Sequence, residues 1–110
     1  MAYIPFMVFI ESRAFTKTIV KLMDDEDYSD LQLSLCKRPD AGKLIPGSGG
    51  LRKLRWTAKG KGKRGGARII YYWWREKYQI SLLLAYVKNE QEDLTRDQIK
   101  ILQKVMEEDV

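Results

Sequence analysis

The stretch Leu51–Arg75, LRKLRWTAKGKGKRGGARIIYYWWR, leaves a chain of this length few choices of fold. Two runs that alternate in polarity or are rich in β-branched and aromatic residues flank the loop KGKGKRGG at 59–66. Such runs around a glycine-rich loop predict two antiparallel strands. In the first, Lys53 and Arg55 share one face and Leu54 and Trp56 the other. In the second, Arg68, Ile70, Tyr72 and Trp74 share one face, and Ile69, Tyr71 and Trp73 the other. Between Ala41 and Arg75 there are ten Lys or Arg and no Asp or Glu. The whole chain has twenty basic and fifteen acidic residues, so the rest holds ten against fifteen, a formal −5. The net +5 hides a basic ribbon on an acidic body, the footprint of a polyanion binder.

The 110 residues suffice for a single domain, 1–110, with one core. No apolar run approaches the roughly 20 residues that span a bilayer, so no membrane partner is expected. The opening MAYIPFMVFI lacks a basic leader and a small-residue cleavage site, and reads as a first strand rather than a signal peptide. Cys36 is the only cysteine, which excludes an internal disulfide and fits a cytoplasmic setting. It reads as a small core residue of a helix. The absence of His removes Ser-His-Asp and Cys-His catalysis and imidazole metal sites. No carboxylate spacing supports a metal site, and no cofactor is expected.

In chain order, residues 3–10 alternate like a strand. Ser12 is placed to cap a helix carrying Phe15, Ile19, Leu22 and Met23 at helical spacing. The acidic cluster Asp24–Asp27 suits a helix N-terminus, and a second helix is expected from about Glu26 to Lys37, with Tyr28, Leu31 and Leu35 on one stripe. Pro39 and Gly42 end it, and residues 39–50 read as a loop. After the ribbon, Glu76 and Lys77 make a turn into a strand at 78–87. Thr95 and Gln98 match a capping box that opens a helix over 96–108, with Ile99, Leu102 and Met106 on one face. The fold class is α+β, in the order β-α-α-β-β-β-α: a small antiparallel sheet packed against an N-terminal helical hairpin, with a C-terminal helix. Gly60, Gly62 and Gly65 formally match a dinucleotide fingerprint, but they precede a strand rather than open a helix, so that reading is rejected.

The run GSGGLRKLRW at 47–56, then GGARIIYYW at 65–73 and LLLAYVKNE at 82–90, resembles the RelE/ParE superfamily of bacterial toxins, closest to HigB-like members of the RelE branch. The resemblance implies a toxin of a type II toxin-antitoxin system that cuts messenger RNA in the ribosomal A site without metal, driving a ribose 2′-OH onto the adjacent phosphate and so inhibiting translation. It implies three partners, a cognate antitoxin, the ribosome and mRNA, and a toxin that is monomeric outside the antitoxin complex. Lys53 and Arg55 match the alternating basic positions of LRKLR, and Arg68 the arginine that opens the next strand. RelE-branch members carry an arginine where this chain has Asn89 and a tyrosine where it has about Thr95, and HigB-like relatives often lack both.

Such cleavage needs a base, charge stabilisation at the phosphorane and a proton for the leaving 5′-oxygen. Without His, Lys53 is the expected base or base-assisting group, tuned by crowding with like charge. Arg55 and Arg68 grip the phosphate through planar donors. Tyr86 and Lys88, at the end of the last strand, are the groups that can supply the acid or position the substrate. Arg52, Lys59, Lys61, Lys63 and Arg64 are expected to follow rRNA or mRNA phosphates. Tyr71, Tyr72, Trp73 and Trp74 fit a core strand, with Tyr72 or Trp74 open to stacking on a base. Two other readings fit the same residues: a ParE-like, non-catalytic inhibitor of DNA gyrase, and an RNA- or DNA-binding module that only grips phosphates.

Overall fold

The computed structural model describes residues 7–57, 66–87 and 93–108. Its elements are β1 (Val8–Glu11), α1 (Arg13–Leu22), α2 (Asp25–Lys37), β2 (Lys43–Leu44), β3 (Arg52–Trp56), β4 (Ala67–Trp74), a 3-10 turn (Arg75–Lys77), β5 (Gln79–Val87) and α3 (Arg96–Glu108). The class is α+β, with the helices and central strands in the expected order. Among the described residues no helix is long and apolar enough to cross a membrane.

The helix starts follow from local chemistry. Ser12 Oγ accepts from the Phe15 N–H at 3.1 Å and donates to the Leu83 carbonyl at 2.7 Å, so it caps α1 and ties it to β5. Asp24 accepts from the Asp27 N–H at 2.8 Å, and three further acidic residues sit in the first turn of α2. At α3 the capping box is reciprocal: the Gln98 N–H donates to Thr95 Oγ1 at 3.1 Å and the Thr95 N–H to Gln98 Oε1 at 2.9 Å.

The sheet differs from the expected one in two ways. It has five strands in the order β1-β5-β4-β3-β2, and β1 runs parallel to β5 while the other pairs are antiparallel. The parallel pair joins Val8 to Gln79, partners too far apart in the chain for any local pattern to announce. Lys43 and Leu44, inside the expected loop, pair with Lys53 and Arg52 as a short edge strand. Two residues are too few to show a period.

Both faces of the sheet are covered. On one, Phe15, Ile19, Leu31 and Leu35 of the helical hairpin pack on Ile69, Tyr71, Ile80 and Leu82. On the other, Leu102 of α3 packs on Leu51, Ile70, Leu83 and Tyr86, with Ile99 and Met106 beside it. The alternation in β4 thus serves two small cores, where a single one was expected. Cys36 is not in either; it is exposed on α2, because the buried stripe of that helix runs through Asp27, Leu31 and Leu35.

Candidate nucleic-acid interface

Strand register decides which basic side chains meet. Arg55 lies directly opposite Arg68, Lys53 opposite Ile70, and Lys43 opposite Lys53. Residues opposite one another in an antiparallel pair share a face, with Cβ atoms roughly 5 Å apart. Lys43, Lys53, Arg55 and Arg68 therefore occupy one face, the one that α3 covers in part. Like charges placed opposite each other destabilise a sheet, so nothing in folding itself favours the Arg55–Arg68 pair.

A β-bulge brings in a fifth group. From Trp74↔Gln79 to Tyr71↔Leu82 the β4–β5 pairing keeps one register; it shifts between Ile70 and Tyr71, and Leu83 is the extra residue. Beyond the shift Arg68 pairs with Tyr86 and Ile69 with Ala85. Without the bulge Ala85 would stand opposite Arg68, and Tyr86 would turn toward the helical hairpin. Bulges re-aim side chains in this way beside functional sites. Sequence reasoning named Tyr86, but nothing in LLLAYV marks a bulge.

The electrostatics separate these groups. Arg68 is 6% exposed, and its one hydrogen bond to a described residue, Nη1 to the Gly66 carbonyl, is long at 3.5 Å. Among the described residues no carboxylate pairs with it. Arg55 is exposed. Lys53 is not crowded by cations alone: its Nζ lies 2.8 Å from Asp93 Oδ1. The hydrogen bond from Lys53, and then its charge, hold the Asp93 carboxyl below the usual aspartate range. Burial pushes the Tyr86 phenol above its ordinary 10.0, the Asp93 charge adds to this, and Lys53 and Arg68 oppose it. A phenol so placed keeps its proton at neutral pH and faces Arg68, an arrangement suited to donating a hydrogen bond or a proton.

Arg52 goes elsewhere. It alternates onto the other face of β3, and its Nη1 donates to the carbonyls of Gly42, at 2.8 Å, and Asp40, at 3.2 Å. Tyr71, opposite Arg52, donates to the Pro39 carbonyl at 2.7 Å and accepts from the Gly42 N–H at 2.8 Å. The two residues pin the loop after α2. Lys59, Lys61, Lys63, Arg64 and Lys88 lie outside the described residues. Sequence reasoning missed Lys43, hidden in a two-residue strand, and the pairing of Asp93 with Lys53.

A cleft of about 390 Å³ adjoins the cluster, lined by Lys43, Ile45, Lys53, Asp93, Leu94 and Ile99. Cations line its floor, and the start of α3 forms its wall. The arrangement can hold a phosphate between Arg55 and Arg68 with an apolar slot alongside.

No protein-family model matches the sequence. Among solved structures, a mutant of the E. coli toxin RelE in the free state superposes with a TM-score of 0.60 at 13% sequence identity, covering 91% of this chain and 96% of that one. Helical hairpin, mixed five-stranded sheet and C-terminal helix together give this chain a RelE-like fold.

Proposed function

We propose that this chain is the toxin of a type II toxin-antitoxin system and acts as a ribosome-dependent mRNA endonuclease. One observation carries the reading: Arg55 and Arg68 are register partners on one sheet face, Arg68 is buried without a carboxylate among the described residues, and Tyr86 is its partner on the other side. A buried cation with no counter-charge is unfavourable unless an anion arrives to share the site. A phosphodiester supplies that anion.

In the reaction the ribose 2′-oxygen forms a bond to the neighbouring phosphorus and loses its proton, while the bond from phosphorus to the 5′-oxygen breaks. The products are a 2′,3′-cyclic phosphate and a 5′-hydroxyl. Arg55 and Arg68 neutralise the charge that builds on the phosphorane. The 2′ proton passes to water, Lys53 holds and polarises the 2′-hydroxyl once substrate draws it from Asp93, and Tyr86 gives its phenolic proton to the leaving 5′-oxygen. The partners are the ribosome, mRNA and an antitoxin.

Expression from a tightly controlled promoter, with mapping of messenger 5′ ends, tests this. Cuts in translated codons that vanish in Arg68→Ala support it. DNA damage without such cuts would instead point to a gyrase inhibitor, and neither outcome to a phosphate-gripping module.

A further inference from the structure

The aromatic run of β4 supplies a second feature, at the end away from Arg68. β3 pairs with β4 only as far as Arg52↔Tyr71, and from Tyr72 to Trp74 the strand pairs with β5 alone. The open side is a cleft of about 480 Å³, lined by Arg52, Tyr72, Trp73, Trp74, Arg75 and Lys77, with Glu76 as the one carboxylate among the described residues that line it. Six residues of strand, about 20 Å, separate Trp74 from Arg68. The packing of Leu51 and α3 on Ile70 and Tyr72 lies between them.

The rings of this cleft are fixed. Trp74 Nε1 donates to the buried Ser81 Oγ at 3.0 Å. Tyr72 meets the Trp74 ring edge-on, with centroids 4.7 Å apart, and also packs against Gly50, where a Cβ would come within 2.8 Å of the tyrosine ring. The cations are held as well. The Arg75 guanidinium lies 4.7 Å from the centre of the Trp73 ring, and the Lys77 ammonium 4.8 Å from that of Trp74. Arg52 is anchored by its bonds to the carbonyls of residues 40 and 42.

We infer that this cleft is a second nucleic-acid site, which takes one base and its phosphate from a single-stranded segment. Bases stack on aromatic rings and on guanidinium planes. Here an exposed guanidinium already lies against an indole and lines the cleft. Arg52 and Lys77 line the same cleft and can donate to the phosphate. Three cations against one carboxylate match a polyanion, and ordered flat surfaces match a planar base better than an acidic peptide, which needs only the charges. The site does not depend on cleavage and stands apart from the Arg55–Arg68 cluster.

The test is tryptophan fluorescence of the full chain carrying Trp56→Phe, so that Trp73 and Trp74 alone report. Hexauridylate is titrated in, with hexathymidylate in parallel to show which sugar is taken and hexaglutamate as the peptide control. A saturable quench is expected from the oligonucleotides. In Arg75→Ala/Lys77→Ala, which removes the two cations packed on the reporter indoles, the concentration for half-saturation should rise at least about fivefold, with the salt slope falling by about one for each cation removed. Trp74→Ala should weaken it similarly. No quench, a quench unchanged in the Arg75/Lys77 variant, or equal quenching by hexaglutamate would overturn the inference.

Discussion

Arg68 carries its charge into a position only 6% exposed, with no carboxylate paired to it among the described residues. Replacing it with an apolar side chain of similar length should therefore raise stability while abolishing function. Arg68→Met is expected to shift urea unfolding upward, on the order of 1 kcal/mol, and to lower cleavage about 10²–10³-fold. Arg68→Lys should not restore cleavage, because a point charge cannot replace a planar fork. Lower stability in Arg68→Met would contradict this view of the site. Tyr71 has the opposite role. Tyr71→Phe would leave the buried Gly42 N–H without its acceptor, at a cost of about 1–3 kcal/mol in the same assay. It also sets an alkaline limit. Burial raises the phenols of Tyr71 and Tyr86 above 10.0, so the unfolded chain releases those protons first. Their contribution is complete below pH 10 and declines as pH rises from 10.0 through the folded-state values. Denaturation midpoints between about pH 9 and pH 11 should fall, and fall less in Tyr71→Phe.

At the scale of elements, most of the fold was legible because its signals are local. Ser12 and Thr95 name two helix starts, the acidic cluster 24–27 places the third to within a residue or so, and the apolar spacing of Phe15 and Ile19 or of Leu31 and Leu35 names their buried stripes. Lys53, Arg55 and Arg68 were legible for the same reason, since alternation assigns faces. What stayed hidden is pairing. The parallel β1–β5 contact, the edge strand that adds Lys43 and the bulge that turns Tyr86 toward Arg68 all depend on residues distant in the chain. So does the Lys53–Asp93 pair, which ties the lead-in of α3 to β3. Asp93 is depressed below the usual range, so the pair is intact at neutral pH and is lost only as pH falls through that lowered value. Asp93→Asn should release Lys53, tighten binding of a short RNA and steepen its salt dependence by about one unit. Unchanged affinity would mean that this carboxylate does not compete with substrate. On the far side of the same sheet face, Leu102→Ala should cost about 2–5 kcal/mol, because Leu102 is the buried residue of α3. Thermal or urea unfolding reads that loss directly.

On the scale of the whole molecule, charge and core are segregated. The helical hairpin and α3 each close one face of a shared sheet, and the basic residues emerge where α3 stops covering it. The acidic balance lies in the rest of the sequence. Such an arrangement concentrates a positive field on one surface and steers a polyanion to it. The most direct measurement is cleavage of a defined message on purified, programmed ribosomes, comparing the unaltered chain with Arg55→Ala, Arg68→Met and Tyr86→Phe. The unaltered chain should cut within the A-site codon and leave a 2′,3′-cyclic phosphate, with both arginine variants slower by about 10²-fold or more. Full cleavage by Arg68→Met, with its fold intact, would contradict the assignment of the opposed arginines as the centre that holds the phosphate.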